Sequence, residues 1–170
     1  MRRNTLVVAC VALAAIAIGV YFFLSGNLSN ASLSALSGQQ QSAVVVPFTP
    51  LASGSSSKVE TRVNYFITSP TQLQELWSLV DATGTPPTVD FNKDAVIAVF
   101  AGQQPTTGYA ISVSKVVDSG ARLVSITIAK PDGGCLTGQS LTTPYEVVVV
   151  PTTTLPLAHE DLSATIACDN

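Results

Sequence analysis

The chain has 170 residues, 46% of them hydrophobic and only 11% charged, with a formal net charge of −3. That length suits one domain with accessory segments. Arg2 and Arg3 are two of the eight basic residues, so the rest of the chain carries six basic against eleven acidic residues, a net −5; a nucleic-acid or anionic-lipid partner for the domain is not expected, because phosphate binding needs a basic patch.

Thr5–Leu24 (TLVVACVALAAIAIGVYFFL) contains no charge. At 1.5 Å rise per residue it spans about 30 Å, the thickness of a bilayer's hydrocarbon core. Arg2 and Arg3 precede it and the next basic residue is Lys58, so the positive-inside rule keeps residues 1–4 cytoplasmic and exports the remainder. The competing reading is a cleaved signal peptide with Ser29-Asn30-Ala31 as its site; the apolar run is longer than an ordinary signal core, which favours an anchor. Val7-Val8-Ala9-Cys10 has the look of a lipidation box, but the apolar run continues well beyond Cys10. Residues 25–43 (SGNLSNASLSALSGQQQSA) are too polar to bury a core and read as a flexible linker. Asn27-Leu28-Ser29 and Asn30-Ala31-Ser32 within it are glycosylation sequons.

An extracytoplasmic domain then runs over residues 44–170. Val44–Phe48 is expected as an edge strand because of Pro47, Gly54–Ser57 as a turn, and Val59–Thr68 as a strand. Ser69, Pro70 and Gln72 form a helix start with a capping box. Leu73, Leu76, Trp77 and Val80 make one apolar stripe, and Gly84 with Pro86-Pro87 ends the helix. Ala95–Ala101 is a continuous apolar run, expected as a central strand buried on both faces. Tyr109–Val117 and Arg122–Ala129 form a hairpin around Asp118-Ser119-Gly120, and Tyr145–Val150 is the last strand. His159-Glu160-Asp161 falls in a polar tail. The fold class is α+β: a mainly antiparallel β-sheet with one packed helix, preceded by a single transmembrane helix.

The ordered motifs Val46-Pro47-Phe48, Leu76-Trp77, Val89-Asp90-Phe91, Val99-Phe100-Ala101-Gly102-Gln103-Gln104-Pro105-Thr106-Thr107-Gly108-Tyr109, Gly134-Cys135 and Thr143-Pro144-Tyr145 resemble the PrcB-type family, the C-terminal domain of a protease-complex accessory subunit. The resemblance implies a non-catalytic exported module whose partner is a protein, with a protease as the class it points to. Pro105-Thr106-Thr107-Gly108-Tyr109 also resembles the first binding loop of chagasin-like cysteine-protease inhibitors; Pro131-Asp132-Gly133-Gly134 reaches their glycine loop only by stretching, and their later arginine-proline-aromatic motif is absent.

Two loops are the candidate partner-binding segments. Gln103, Gln104, Pro105, Thr106, Thr107, Gly108 and Tyr109 form the first. Proline fixes φ and glycine permits positive φ, so the loop can hold one shape. A turn that merely reverses the chain, with Tyr109 facing the core, explains the same residues. Pro131–Thr143 is the second, long for a connection between strands, and contains Gly133, Gly134 and Cys135. In an oxidising compartment Cys135 and Cys168 are disulfide candidates; two unpaired thiols are the alternative.

Enzymatic readings find little support in the residues. His159-Glu160-Asp161 are adjacent and do not converge on a metal. A Cys135–His159 dyad would suit an exported cysteine hydrolase or transpeptidase, but no basic residue lies beside Cys135 to favour its thiolate. Asp90 and Asp94 read as solvated loop charges. There is no Gly-x-Ser-x-Gly, phosphate loop or dinucleotide fingerprint, and no cofactor is expected.

Overall fold

Asp94–Phe100 supplies the centre of the fold, because its apolar residues are buried on both faces. A computed structural model describes residues 42–80, 82 and 84–168. Thr5–Leu24, Cys10, the two sequons and all but the last two residues of the linker lie outside the described residues. Among the described residues no helix is long and apolar enough to cross a membrane.

In chain order the elements are β1 (Val44–Val45), β2 (Thr49–Gly54), β3 (Val63–Ile67), α1 (Pro70–Trp77), β4 (Asp94–Phe100), β5 (Ala110–Ser119), β6 (Ala121–Pro131), β7 (Tyr145–Pro151) and β8 (Leu157–Ile166). They form two four-stranded sheets, β1-β5-β6-β8 and β2-β7-β4-β3. All pairs are antiparallel except β6 with β8. That parallel pair needs a crossover, and the crossover is β7, which belongs to the other sheet.

Side chains on a strand point alternately to opposite faces, and β4 uses both. Ala95, Ile97 and Val99 pack with Val148 and Val150 of β7 against Ile111, Val113, Val116, Val124 and Ile126 of the first sheet. Val96, Ala98 and Phe100 pack with Val147 and Tyr145 against Leu73, Leu76 and Trp77 of α1. The second sheet is therefore a middle layer, with a sheet on one face and the helix on the other. Phe100 is fully buried, edge-on to Tyr65 at 5.7 Å and stacked on Tyr145 at 6.1 Å. Burying one such side chain contributes about 1.5–3 kcal/mol.

The helix starts as its sequence dictates. The Ser69 hydroxyl accepts from Gln72 N–H at 3.4 Å, and Pro70 is the first helical residue. The reciprocal bond is shifted by one position: Gln72 Oε1 accepts from Thr68 N–H at 3.0 Å. The helix stops at Trp77, well before Gly84. Ser78 Oγ donates to Glu75 O at 2.6 Å, and Val80 is drawn into a bridge with Ser57.

Several expectations need correction. In place of one sheet there are two. Val44–Phe48 contributes only two strand residues, and Val59–Thr68 shortens to β3 because its first residues run past Gly102, where Gln103 N–H bonds Glu60 O at 2.9 Å. Thr49–Gly54 is a strand, paired with β7 across a register shift at Pro50. The expected polar tail is β8, an exposed edge strand. Its acids are consumed by distant partners: Asp161 forms a bidentate pair with Arg62 at 2.6 and 3.0 Å, and Glu160 accepts from Ser125 Oγ at 2.7 Å.

Candidate functional site

The first candidate loop leaves β4 through a backbone that only glycine fits. Gly102 has φ +74°, and a Cβ there would lie 2.8 Å from Arg62 N and 2.9 Å from Glu60 O. Gln104 then pairs with Thr142 through two backbone bonds, at 2.7 and 3.1 Å, while its side chain donates to Ala101 O at 3.1 Å. Gly108, at φ +91°, lets the chain turn into β5 against Pro131.

The second loop is tied down at several points. Asp132 N–H bonds Ile166 O at 3.0 Å, and Asp132 caps its own turn through Gly133 N–H at 2.6 Å. Cys135 and Cys168 form a disulfide with Cα atoms 5.5 Å apart, joining the loop to the chain just beyond β8. Further along, Thr143 and Ser57 exchange hydrogen bonds of 2.6–3.0 Å.

Together the two loops make one surface. Thr107 N–H donates to Gly138 O at 3.1 Å, and Gly138 N–H donates back to Thr107 Oγ1 at 2.8 Å. Thr142 Oγ1 donates to Thr106 O at 3.0 Å. A shallow pocket of about 330 Å³ lies over this junction, walled by Thr107, Gly108, Pro131, Leu136, Ile166 and the disulfide. The result is a platform in which the two loops brace each other through these bonds.

Within the platform the candidate residues divide. Gln103, Pro105, Gly108, Gly133 and Gly134 are exposed, and Gln104, Thr106, Thr107 and Tyr109 are half-buried. Thr106 and Thr107 spend hydrogen-bonding capacity on the loops themselves. Tyr109, expected to face the core, belongs to neither apolar cluster. An added Cβ at Gly133 or Gly134 would meet nothing, so packing does not impose glycine there. Sequence reasoning passes over the most prominent groups: Leu136 is 105% exposed, Leu141 64% and Ile166 41%. Two leucines inside a Gly/Thr-rich loop are the available signal.

The comparisons with known proteins bear on this same stretch. Residues 95–151 match the family model described as PrcB C-terminal. The match agrees with the resemblance read from the sequence and runs from β4 through β7, taking in both loops. No curated protein and no solved structure matches the chain.

Two polar groups brace the matched segment. Arg122, 2% exposed, forms a bidentate pair with Asp118, both bonds 2.7 Å, and its third nitrogen donates to Pro151 O, so it links the two sheets. The Arg122 hydrogen bonds hold the Asp118 carboxyl below the usual range. Glu146 of β7 accepts from Val113 N–H at 2.6 Å, beside the register shift that comes after Val113 in β5. Burial pushes the Glu146 carboxyl up, and the Val113 bond partly offsets it.

The enzymatic candidates do not assemble. The Cys135 sulfur is bonded to Cys168, so a Cys135–His159 dyad has no thiol. His159 lies on β8, beside a cleft shared with Phe66 and Ile97. Asp90 closes a turn, accepting from Asn92 backbone and side chain at 3.1 Å each, bonds that lower its pKa. Among the described residues no group of three or more His, Cys, Asp or Glu could hold a metal ion.

Proposed function

We propose that this chain is a non-catalytic accessory module, anchored in a membrane by Thr5–Leu24 with the domain outside the cytoplasm, whose loop platform docks on a protein partner. The PrcB-type match, together with the resemblance to a protease-complex subunit, supports a protease as the partner class, to be stabilised or inhibited by the module. One observation carries the docking role: a leucine, Leu136, fully in water at the crest of a loop braced by a disulfide and by Thr107. A flexible loop would fold such a side chain away; a braced one holds it out, apolar and ready to be covered. A disulfide persists in an oxidising compartment, which suits export.

Burying one leucine at an interface contributes about 1.5–3 kcal/mol, roughly a ten- to hundredfold change in affinity. The test is recovery of partners with the full-length chain from native membranes, compared with Leu136→Asp. A peptidase recovered with the unmodified chain and depleted about tenfold with the variant supports the proposal. The same proteins recovered equally with both would contradict it.

A second reading, chagasin-like inhibition through the Pro105–Tyr109 loop, draws on the pairing of Thr107 with Gly138, which sets that loop beside the second one. It calls for inhibition of a papain-type protease, abolished by Gly108→Glu; an unmodified chain that leaves such a protease fully active would end it.

A further inference from the structure

The four sheet edges are not equally guarded. An edge strand exposes unpaired backbone groups that template pairing with another chain, and proteins blunt it by shortness, proline, bulges or charged side chains, lysine above all; β8 carries only the acids Glu160 and Asp161, which a basic partner complements. β1 has two residues, with Pro47 close behind. β2 carries Pro50 and a register shift. β3 has five residues. β8 has ten, with no proline and no lysine, and it pairs with β6 in unbroken register from Leu157 to Ile166. It is exposed along nearly its whole length.

Beside β8 the sandwich is open. A cleft of about 160 Å³ lies between the edges β3 and β8, floored by Phe66, Ile97, Val124, Ile126 and Leu157, with His159 at its side. The Arg62–Asp161 pair bridges the same two edges. By register, Leu157, His159 and Asp161 share the inner face with Arg122, Val124 and Ile126. Ala158, Glu160, Leu162 and Ala164 share the outer face with Leu123, Ser125, Thr127 and Ala129. Leu162 is 45% exposed there.

We infer that β8 is a strand-addition site for an extended segment of a partner protein, with apolar side chains at alternate positions and a basic residue between them. Backbone pairing to the β8 edge supplies affinity, and alternate side chains supply specificity. The inner set of the added strand points to the cleft, whose floor is apolar. The outer set lies beside Glu160, the one acid on that face of a strand with no lysine or arginine, so a basic residue is the complementary choice. This is a surface additional to the loop platform and does not depend on the platform's role.

The test uses the full-length chain and a synthetic peptide alternating leucine and threonine with one central arginine. Saturable binding is expected, with new amide-exchange protection in residues 157–166. Leu162→Lys, which restores an edge guard and repels the arginine, weakens binding about tenfold or more, whereas Glu75→Gln, on the exposed face of α1, binds as the unmodified chain does. Should Leu162→Lys alter the circular dichroism spectrum, Thr165→Lys, exposed on the same strand, replaces it. The proposal is overturned by absence of binding or by protection confined to residues 103–109 and 132–143. It is also overturned by a concentration-dependent dimer that Leu162→Lys dissolves, since a second copy would then own the edge.

Discussion

Replacing Asp118 with asparagine tests how the two sheets are held together. The substitution keeps the shape of the side chain and removes its charge. Arg122 is 2% exposed and keeps one backbone acceptor, Pro151 O, while its bidentate partner is lost. Stranding a buried charge costs about 3–5 kcal/mol. Asp118 is itself 24% exposed, so water reaches the pair and the expected loss is about 3 kcal/mol, at the low end of that range. With a urea slope of about 1–3 kcal/mol per molar, the unfolding midpoint falls by about 1–3 M. The control is Lys93→Gln, which removes a charge from an ion pair whose Lys93 side chain is 80% exposed; an exposed pair contributes little, and its midpoint stays put. Equal shifts for the two variants, or a fall below about 0.5 kcal/mol for Asp118→Asn, would refute the inter-sheet role of Arg122, since surface substitutions already span that range.

Three further outcomes are expected. Gly102→Ala places a Cβ 2.8 Å from Arg62 N in a backbone with φ +74°, and costs about 2 kcal/mol or more in urea unfolding; an unchanged midpoint would deny the close approach. Reducing the Cys135–Cys168 bond reopens a span of 33 residues and costs roughly 3–4 kcal/mol on the chain-entropy account, read as a lower melting temperature for Cys135→Ser than for the oxidised chain. Glu146 has a raised folded-state pKa, so between its ordinary value of 4.5 and that raised value the native state holds more protons than the unfolded one. Stability therefore falls as pH rises through that window. Glu146→Gln should flatten this limb of the pH profile, while the lowered Asp118 carboxyl still gives a loss of stability as pH drops below 3.8.

Local pattern is legible wherever a residue's neighbours in sequence decide its environment. Ala95–Ala101 reads as buried on both faces because no polar residue interrupts it, and the two faces do receive different layers. The helix is legible from Ser69, Pro70 and its apolar stripe. β2 escapes a reading by pattern because TPLASG carries neither alternation nor a run, and only β7 gives it a partner. β8 escapes because its charges read as solvated. Arg62, which pairs with Asp161, lies 99 residues away in sequence, and no short-range pattern reports a partner at that distance. The same limit applies to the site. Each loop is visible as a Gly/Pro/Thr segment, but their contact depends on the β5–β6 hairpin returning Pro131 to Gly108. Leu136 becomes conspicuous only through its exposure in the fold.

The role of the platform comes down to what Leu136 touches in the cell. A photo-crosslinking amino acid at position 136 of the full-length chain, irradiated in native membranes, reports that contact directly, with position 75 on the exposed face of α1 as the comparison. A discrete adduct containing a peptidase at position 136, absent at 75, is the predicted result. Adducts at 75 alone, or at neither position, would contradict a docking surface built from the two loops.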